Sequence, residues 1–280
     1  MNKIKTLKPI FFTLILLSVL FILMKDWGSP DSSIADQITE TDNSQIKITI
    51  VEGTTLPQIA EKIASTLNKK PKYVLSVIND EDFINSLMEK YSFLTREIQR
   101  RKLKYPLEGY LYPDTYFFEK DVTIEEIIIR ALDSMDYYLS KNRSLIQDMD
   151  WTYHEFLTFA SIVEREACFD EDKPIIAGVF MNRLNIGMKL QSDVTVNYAL
   201  DRTGVDVKHS HLDIDSPYNT YKYSGLPIGP ISTSSPITMN ACLNYDTHDY
   251  LFFFGKQDGS VIYNKTYEEH EKAVTENKWY

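Results

Sequence analysis

The sequence predicts an α+β protein in three parts: one membrane-spanning helix, a small α/β module and a larger mixed domain. Three observations predict it. An uncharged apolar run follows a cluster of lysines near the N-terminus. A short alternating strand then leads into amphipathic helices, the pattern of a small α/β unit. Finally, residues 156–170, FLTFASIVEREACFD, place glutamates in an otherwise apolar helical run.

The composition excludes some classes of function. The chain has 280 residues, enough for one large or two modest domains, and a net charge of −10. A nucleic-acid binder needs a basic face, so we expect no nucleic-acid partner. Cys168 and Cys242 lack metal-ligand spacing, although a disulfide between them stays open. Without a glycine-rich nucleotide loop or a metal signature, we expect neither cofactor nor metal.

Residues 9–27 are predicted to be a transmembrane anchor. Residues 9–24, PIFFTLILLSVLFILM, carry no charge, and a helix of that length spans about 24 Å. Extension through Trp27, with Lys25 reaching towards the headgroups, brings the span to about the 30 Å of a bilayer core. A cleaved signal peptide is the alternative, but its one passable site, SIA at 33–35, lies far from the apolar run.

The charges beside this anchor predict its orientation. Lysines precede the span and acidic residues follow it, so we expect a cytoplasmic tail at residues 1–8. The bulk of the chain would then lie on the outer face of a bacterial plasma membrane. Residues 28–46 are polar and acidic without periodicity, which predicts a flexible linker.

Residues 47–104 are predicted to form the small α/β module. KITIV at 47–51 alternates as a strand, and EGTT at 52–55 turns it into a helix with a regular apolar face. A second helical stretch at 72–90 has a break near Asp80. This order of strand, Gly-Thr turn and two helices resembles the LysM-type carbohydrate-binding module.

Residues 105–280 are predicted to form the mixed α+β domain. The segment 104–118 combines prolines, aromatics and acids, which indicates an ordered loop and strand. Beyond it, we expect helices from Thr123, over 174–186, over 237–243 and from Tyr267, and a hairpin of strands 250–254 and 260–263. The segments 191–200 and 213–223 are read as polar stretches with interleaved aromatics.

The central helix of this domain carries the most interesting acid. Thr152 and Glu155 have the spacing of a capping box, and apolar residues nearly all round predict a buried helix. Glu164 has only small neighbours at helical spacing, whereas Glu166 is flanked by larger apolar side chains. Glu164 would therefore project from a shallow trough, either as a general acid or as a structural carboxylate paired with a Lys or Arg.

Six segments in order resemble one known family. They are LEGYLYPDTY (107–116), ASIVERE (160–166), VFMNRLNIGMKLQSDVTVNYA (179–199), SPYNTY (216–221), GLPIGPI (225–231) and TYEEHEKAV (266–274). Together they resemble the endolytic murein transglycosylase family, often called YceG-like, as does the N-terminal span. The sequence departs from the family's usual Pro at 228, Asn-Pro-Gly at 233–235, Asp-Pro at 193–194 and His near 260–262.

The resemblance implies a chemistry. Residues 105–280 would be a catalytic domain that cleaves peptidoglycan strands internally between N-acetylmuramic acid and N-acetylglucosamine, leaving 1,6-anhydro ends. The sugar's own C6 hydroxyl would be the nucleophile, so one carboxylate suffices where ordinary glycosidases use two. The family motif places that general acid/base at Glu164. Such an acid must carry its proton at the start, which an apolar surrounding favours.

Other polar residues of these segments are expected to line the cleft and bind the sugar's hydroxyl and acetamido groups. They are Glu108, Asp114, Asn182, Gln191, Asp193, Tyr218, Asn219 and Thr220. For each of them a bond to loop backbone is an equal alternative. Asp193 could also orient Glu164, and Tyr110, Tyr112 and Tyr221 could stack on sugar rings.

Two other functions stay open. A hydrolytic muramidase would use Glu164 with Asp193 activating a water. A non-catalytic peptidoglycan-binding scaffold would use the anchor and the LysM-like module to recruit synthesis or division proteins. The resemblance also suggests partnership with peptidoglycan synthases.

Overall fold

The computed structural model describes residues 45–202 and 208–278. The predicted tail and anchor, and residues 28–44 of the predicted linker, lie outside this part of the chain. Residues Ile46–Tyr280 form one compact unit. Within the described residues, no helix is both long and apolar enough to cross a bilayer. The mixed α+β class is confirmed.

The N-terminal elements follow the predicted order. Strand β1 (Gln45–Ile50) is followed by helices α1 (Leu56–Leu67), α2 (Pro71–Ile78) and α3 (Glu81–Lys90). The predicted break is confirmed: Asp80 begins α3, and its carboxylate accepts a hydrogen bond from Phe83 N at 3.0 Å. A side-chain acceptor there satisfies one of the free N–H groups at the start of a helix.

Strand β1 finds its partner beyond residue 104. Strand β2 (Asp114–Glu119) pairs with β1, and the hydroxyls of Thr49 and Thr115 lie 3.0 Å apart. Helices α4 (Ile124–Lys141) and α5 (Arg143–Asp148) follow. The strand predicted within 104–118 and the helix from Thr123 are both confirmed.

Helix α6 (Tyr153–Glu166) is the predicted central helix. Its capping box is present: Thr152 Oγ1 accepts from Glu155 N at 3.2 Å, and Glu155 Oε2 accepts from Thr152 N at 2.8 Å. The side chains from residue 156 to 163 are buried. Helix α6 is therefore buried on all sides between neighbouring helices, as its apolar sequence predicts.

Four further helices and a hairpin complete the fold. The helices are α7 (Lys173–Asn185), α8 (Asp193–Ala199), α9 (Pro236–Leu243) and α10 (Tyr267–Asn277). Strands β3 (Phe252–Gly255) and β4 (Val261–Asn264) pair antiparallel, with Phe252 opposite Asn264 and Gly255 opposite Val261. Short 3-10 turns lie at Arg96–Gln99, Asp170–Asp172 and His209–His211.

Helix α8 was not predicted. The segment 191–200 was read as polar with interleaved aromatics, but Thr195, Val196, Asn197 and Tyr198 are all buried. The buried hydroxyl of Thr195 donates to Ser192 O at 2.7 Å and lies 2.9 Å from the Thr220 hydroxyl. Because tertiary hydrogen bonds replace an apolar stripe, helical periodicity of hydrophobicity could not reveal this element.

The turn after β1 is bonded to the loop before α9. Gly53 N donates to Thr233 O at 3.0 Å, and Thr233 N donates back to Thr54 O at 2.9 Å. The Thr233 hydroxyl also donates to Val51 O at 2.9 Å. Arg165 Nη1, at the end of α6, donates to Gly53 O at 2.9 Å. The turn of the predicted module thereby touches both the loop and the end of the central helix.

Three departures from the family pattern have a structural role. Where the family usually has Pro, Ile228 has an N–H that donates to Pro217 O at 3.2 Å, and its carbonyl oxygen lies 2.7 Å from His154 Nε2. Thr233, within 233–235, supplies the hydroxyl that holds the β1–α1 turn. The Asp-Val at 193–194 begins α8. Ser235, the last residue of the segment 233–235, bonds to Glu164 at the end of α6.

Candidate active site

The C-terminal end of α6 presents two acids on different sides. Glu164 and Glu166 are two residues apart, so on an α-helix their side chains point roughly 200° apart. Glu164 points to the start of α9, and Glu166 points to the residues that begin α8. The two carboxylates therefore have separate surroundings.

Glu164 is held by the first residues of α9. Its Oε2 accepts from Ser235 N and from Ser235 Oγ, each at 2.8 Å, and from the hydroxyl of Thr238. Ser235 is the residue that caps α9, so the carboxylate lies at the positive end of a helix dipole. The side chain is 7% exposed. The open trough expected above Glu164 is instead filled by these donors.

A lysine completes the surroundings of Glu164. Lys173 Nζ lies 3.9 Å from Glu164 Oε1 and 2.7 Å from Asp170 Oδ1, and the lysine side chain is 8% exposed. The structural alternative left open by the sequence, a carboxylate paired with a lysine, describes these contacts well. Paired buried charges are costly to separate, since the remaining charge would lack a partner.

Glu166 has a different environment. Its Oε1 accepts from Ser192 Oγ at 2.5 Å. Burial raises the pKa of the Glu166 carboxyl to about 7; the Ser192 hydrogen bond opposes this shift, and the nearby charge of Asp193 adds to it. Arg183 and Arg165 act in the lowering direction. A carboxyl of this kind holds its proton up to near neutral pH, as a general acid must.

Glu166 lines a cavity of about 810 Å³. Polar side chains on its wall include Gln191, Asp193 and Tyr221, and its aromatic side chains include Phe252 and Tyr267. Glu164 is not among the lining residues. A protonatable carboxyl in a cavity with several polar groups and aromatic rings is the usual form of a binding or catalytic site.

Asp193 lies beside Glu166. Its Oδ1 accepts from the Tyr221 hydroxyl at 2.6 Å, and burial of the carboxylate at the cavity wall raises its pKa. The expectation that Asp193 could orient Glu164 has no support here, because its electrostatic neighbour is Glu166. Gln191, a second predicted residue, also lines the cavity, and its backbone N donates to Thr220 O at 3.2 Å.

Several predicted residues are tied into the fold. Asn182 Nδ2 donates to His248 O at 2.7 Å and to Tyr250 O at 3.0 Å. Asn219 Nδ2 donates to Leu212 O at 2.8 Å and to Ile214 O at 2.9 Å. Both amides thus bond to loop backbone, the alternative left open for them.

The remaining predicted residues also make hydrogen bonds within the fold. Thr220 is buried, and its hydroxyl accepts from Ser192 N at 3.0 Å. Tyr218 is buried edge-on against Tyr198, and its oxygen accepts from Lys104 N at 3.2 Å. Asp114 is exposed at the start of β2, where it accepts from Thr115 N at 2.7 Å.

The tyrosines proposed for sugar stacking also separate. Tyr110 is fully buried against His154, with its hydroxyl 2.8 Å from His154 Nδ1. Tyr112 packs against the core beside Tyr138. Of the three, Tyr221 is the one that reaches the cavity.

Glu108 is buried behind the site. Its oxygens accept from Leu56 N at 2.8 Å and from the Tyr198 hydroxyl at 2.9 Å, so it holds the first residue of α1 against α8. Burial raises the pKa of Glu108 to about 8, and both hydrogen bonds oppose that shift. A residue 1% exposed does not contact a ligand in this conformation. Glu108 joins elements rather than lining the cleft.

Replacing Glu108 should change the pH dependence of stability. Between about pH 4.5 and 8 the unfolded chain releases the Glu108 proton while the folded chain keeps it, so the free energy of unfolding falls as pH rises. Glu108→Gln has no proton to release. Its free energy of unfolding should therefore fall by about 1–4 kcal/mol less than that of the parent between pH 5 and pH 8. Urea unfolding at both pH values measures this. Exposed Glu125→Gln is the control, and equal pH slopes for E108Q and the parent would contradict the prediction.

Sequence reasoning missed Glu166, Ser192 and the aromatic residues of the cavity. The signal for Glu166 was present: the large apolar neighbours that made Glu164 look preferable are what desolvate a carboxyl and raise its pKa. Ser192 and the aromatic wall carried no local signal, because each comes from a different element.

The two cysteines do not form a disulfide. Cys168 is exposed and Cys242 is buried, and both are free. Burial raises the pKa of the Cys242 thiol, with the charge of Glu164 adding to the effect. Among residues 45–202 and 208–278, no cluster of three or more His, Cys, Asp or Glu side chains could hold a metal ion.

Comparison with known proteins gives the family. The YceG-like family profile matches residues 26–276. An endolytic murein transglycosylase of Bacillus subtilis is 40% identical over 229 residues, 81% of this chain and 64% of that protein. One from Streptococcus pneumoniae is 36% identical over 243 residues, 82% of this chain and 44% of that protein. The chain thus spans 44–64% of the length of these relatives.

A solved structure agrees with the sequence comparisons. The crystal structure of a YceG-like protein from Listeria monocytogenes superimposes with a TM-score of 0.79 at 40% identity, covering 86% of this chain and 80% of that one. Since the profile runs from before the first described strand into the last helix, the chain belongs to the YceG-like family.

Proposed function

We propose that this chain is an endolytic murein transglycosylase. It would cleave the bond between N-acetylmuramic acid and N-acetylglucosamine within peptidoglycan strands and leave 1,6-anhydro ends. Support comes from the relatives that carry this name. The observation that carries the proposal is the Glu166 carboxyl, with its pKa raised to about 7, on the wall of an 810 Å³ cavity.

The proposed reaction needs one carboxyl group. The acid donates its proton to the glycosidic oxygen, and the bond from that oxygen to C1 of the muramic acid breaks. The C6 hydroxyl of the same sugar attacks C1, and its proton passes to the carboxylate, which is thereby restored. No water is consumed, so the product carries an internal C1–O6 bond. A single group that gives and then takes a proton works best with a pKa near the working pH.

Two residues are proposed for this acid. The family motif implies Glu164, and this proposal from the sequence stands. The geometry favours Glu166, because it lines the cavity and holds its proton near neutral pH, whereas Glu164 Oε2 already accepts three hydrogen bonds. Glu164 then serves to fix α6 against α9. The glutamine variants of the two residues decide between them.

A hydrolytic muramidase is the second candidate, and one observation favours it. Asp193 is a second carboxylate on the same cavity wall as Glu166, as a hydrolase that activates water would need. Purified peptide-free glycan strands, digested in ¹⁸O-labelled water, separate the candidates by product mass. Anhydro ends without label support transglycosylation, labelled reducing ends support hydrolysis, and binding without cleavage supports a scaffold.

Asp193→Asn sharpens this test. If the protein is a hydrolase, Asp193→Asn should lower the cleavage rate by about 10²-fold or more, because Asp193 is the base that activates the water. In a transglycosylase the product stays anhydro-ended, and removal of the Asp193 charge lowers the Glu166 pKa, so activity falls off at a lower pH than in the parent. An unchanged pH profile with anhydro products would contradict the proposed coupling.

We also propose the predicted membrane arrangement. Residues 9–27 would anchor the chain in the plasma membrane with residues 1–8 cytoplasmic and the cavity on the outer face, where peptidoglycan strands and their synthases lie. Support comes from the apolar run and its flanking lysines. Fractionation of cells that express the full chain, or a form without residues 1–27, tests it. Recovery of both forms in the soluble fraction would contradict it.

A further inference from the structure

The 810 Å³ cavity has an aromatic surface that the proposed reaction does not use. Phe252 comes from β3, while Tyr267 and His270 lie one helical turn apart on α10 and so share a face. The Phe252 and Tyr267 rings have centroids 5.9 Å apart, and Phe252 and His270 are stacked at 5.5 Å. The strand and the helix thus bring three rings together.

Arg183 fixes this aromatic group. Its guanidinium carbon lies 5.4 Å from the centre of the Phe252 ring, and its Nε donates to Leu251 O at 2.6 Å. A second guanidinium hydrogen bond goes to Leu190 O. With these bonds Arg183 supports the Phe252 ring. Burial of His270 lowers the pKa of its imidazole, and the charge of Arg183 adds to that shift.

We propose that the Tyr267 ring, supported edge-to-face by Phe252, is the platform on which one N-acetylhexosamine ring of the glycan strand stacks. This inference rests on the proposed function and adds a subsite to it. The C–H groups on the face of a sugar ring are weakly positive and meet the negative face of an aromatic ring. The sugar's edge carries hydroxyl and acetamido groups, which Gln191 and Asp193 on the same cavity wall can bind.

The exposure of the rings suits this role. Tyr267 is 60% exposed, so its ring is accessible to a ligand, while Phe252 is partly buried and supports it from within the fold. Of the tyrosines considered from the sequence, Tyr110 is fully buried. A peptide stem of the strand is the other conceivable occupant. An aromatic surface beside the Asp193 carboxylate favours a neutral sugar over an acidic peptide, because the carboxylate would repel the peptide.

Tyr267→Ala tests the platform, and Tyr137→Ala is a matched control. Tyr137 is 62% exposed on α4 and is not among the cavity's lining residues. Binding of an N-acetylglucosamine tetramer is measured by calorimetry with the protein carrying Glu166→Gln, and KM is measured on peptide-free strands with Glu166 present. We expect Y267A to raise Kd and KM by about three- to tenfold, with Y267F closer to the parent than Y267A and with Y137A near the parent.

The outcomes separate the two proposals. If the parent cleaves strands but Y267A binds the tetramer as the parent does, the platform is wrong and the function stands. If the parent binds the tetramer through Tyr267 but cleaves nothing, the function is wrong and the platform stands. A loss confined to strands that carry peptide stems, or no tetramer binding by the parent, also overturns the platform. Equal melting temperatures of Y267A and Y137A exclude a folding defect.

Discussion

Glu166→Gln should lower the rate of glycan-strand cleavage by about 10²–10⁴-fold, because it removes the proton that the leaving oxygen needs. Glutamine has nearly the same shape, and its carbonyl oxygen can still accept from the Ser192 hydroxyl, which lies 2.5 Å from Glu166 Oε1. The variant should therefore fold and bind strands while failing to cleave them. Product release measured by mass spectrometry, beside strand binding, gives both quantities.

Glu164→Gln is the matched comparison on the same helix. Its carbonyl oxygen can replace Oε2 as the acceptor for Ser235 and Thr238, so the start of α9 should stay in place. If Glu166 is the acid, E164Q should keep activity within about tenfold of the parent, since Asp170 still pairs with Lys173 and a structural hydrogen-bond change of about 1 kcal/mol corresponds to about fivefold. The reverse pattern, with E164Q inactive and E166Q active, would make Glu164 the acid, as the family motif implies.

The pH profile of the parent carries the same information. The Glu166 pKa of about 7 means that the acid holds its proton below neutral pH and loses it above. We expect kcat/KM to fall as pH rises through about 7, since this quantity reports the free enzyme's acid. Any residual activity of E166Q should lack that limb. A profile flat to pH 9 would contradict the role of Glu166.

Gly109→Ala should lower stability by about 2–5 kcal/mol. Gly109 has φ +78°, a conformation that costs an L-residue about 1–2 kcal/mol. A methyl group there would also lie 2.4 Å from Pro230 Cβ and 3.0 Å from Ser232 O, so the loop must move. Thermal unfolding measures the loss, at about 2–4 °C of Tm for each kcal/mol.

Gly187→Ala separates the effect of backbone strain from the effect of steric overlap. Gly187 also has positive φ, at +69°, but a methyl group there would meet none of the described atoms within 4 Å. It should therefore show only the loss of about 1–2 kcal/mol from backbone strain. Equal losses for the two alanine variants would mean that Gly109 and Pro230 are not in close contact.

Because Ile231 N donates to Ser161 Oγ at 3.0 Å, a shifted loop in G109A should also disturb α6 and reduce cleavage.

The sequence by itself determined most of the elements. The capping box at Thr152 and Glu155, the break at Asp80 and the hairpin after residue 250 are local signals, because each depends on side chains within a few residues of the backbone they shape. The buried nature of α6 is equally local, since it follows from an apolar surface on all sides. The family resemblance, which the comparisons confirm, rested on the order of such segments.

Only the tertiary structure decided the environment of each acid. Glu164 and Glu166 are two residues apart, yet α9 brings hydrogen-bond donors to Glu164, whereas burial beside the start of α8 desolvates Glu166. Glu108 looked like a cleft residue and is buried between α1 and α8. A carboxyl's pKa and access depend on groups that the fold brings from distant positions, so the spacing of residues along one helix cannot determine them.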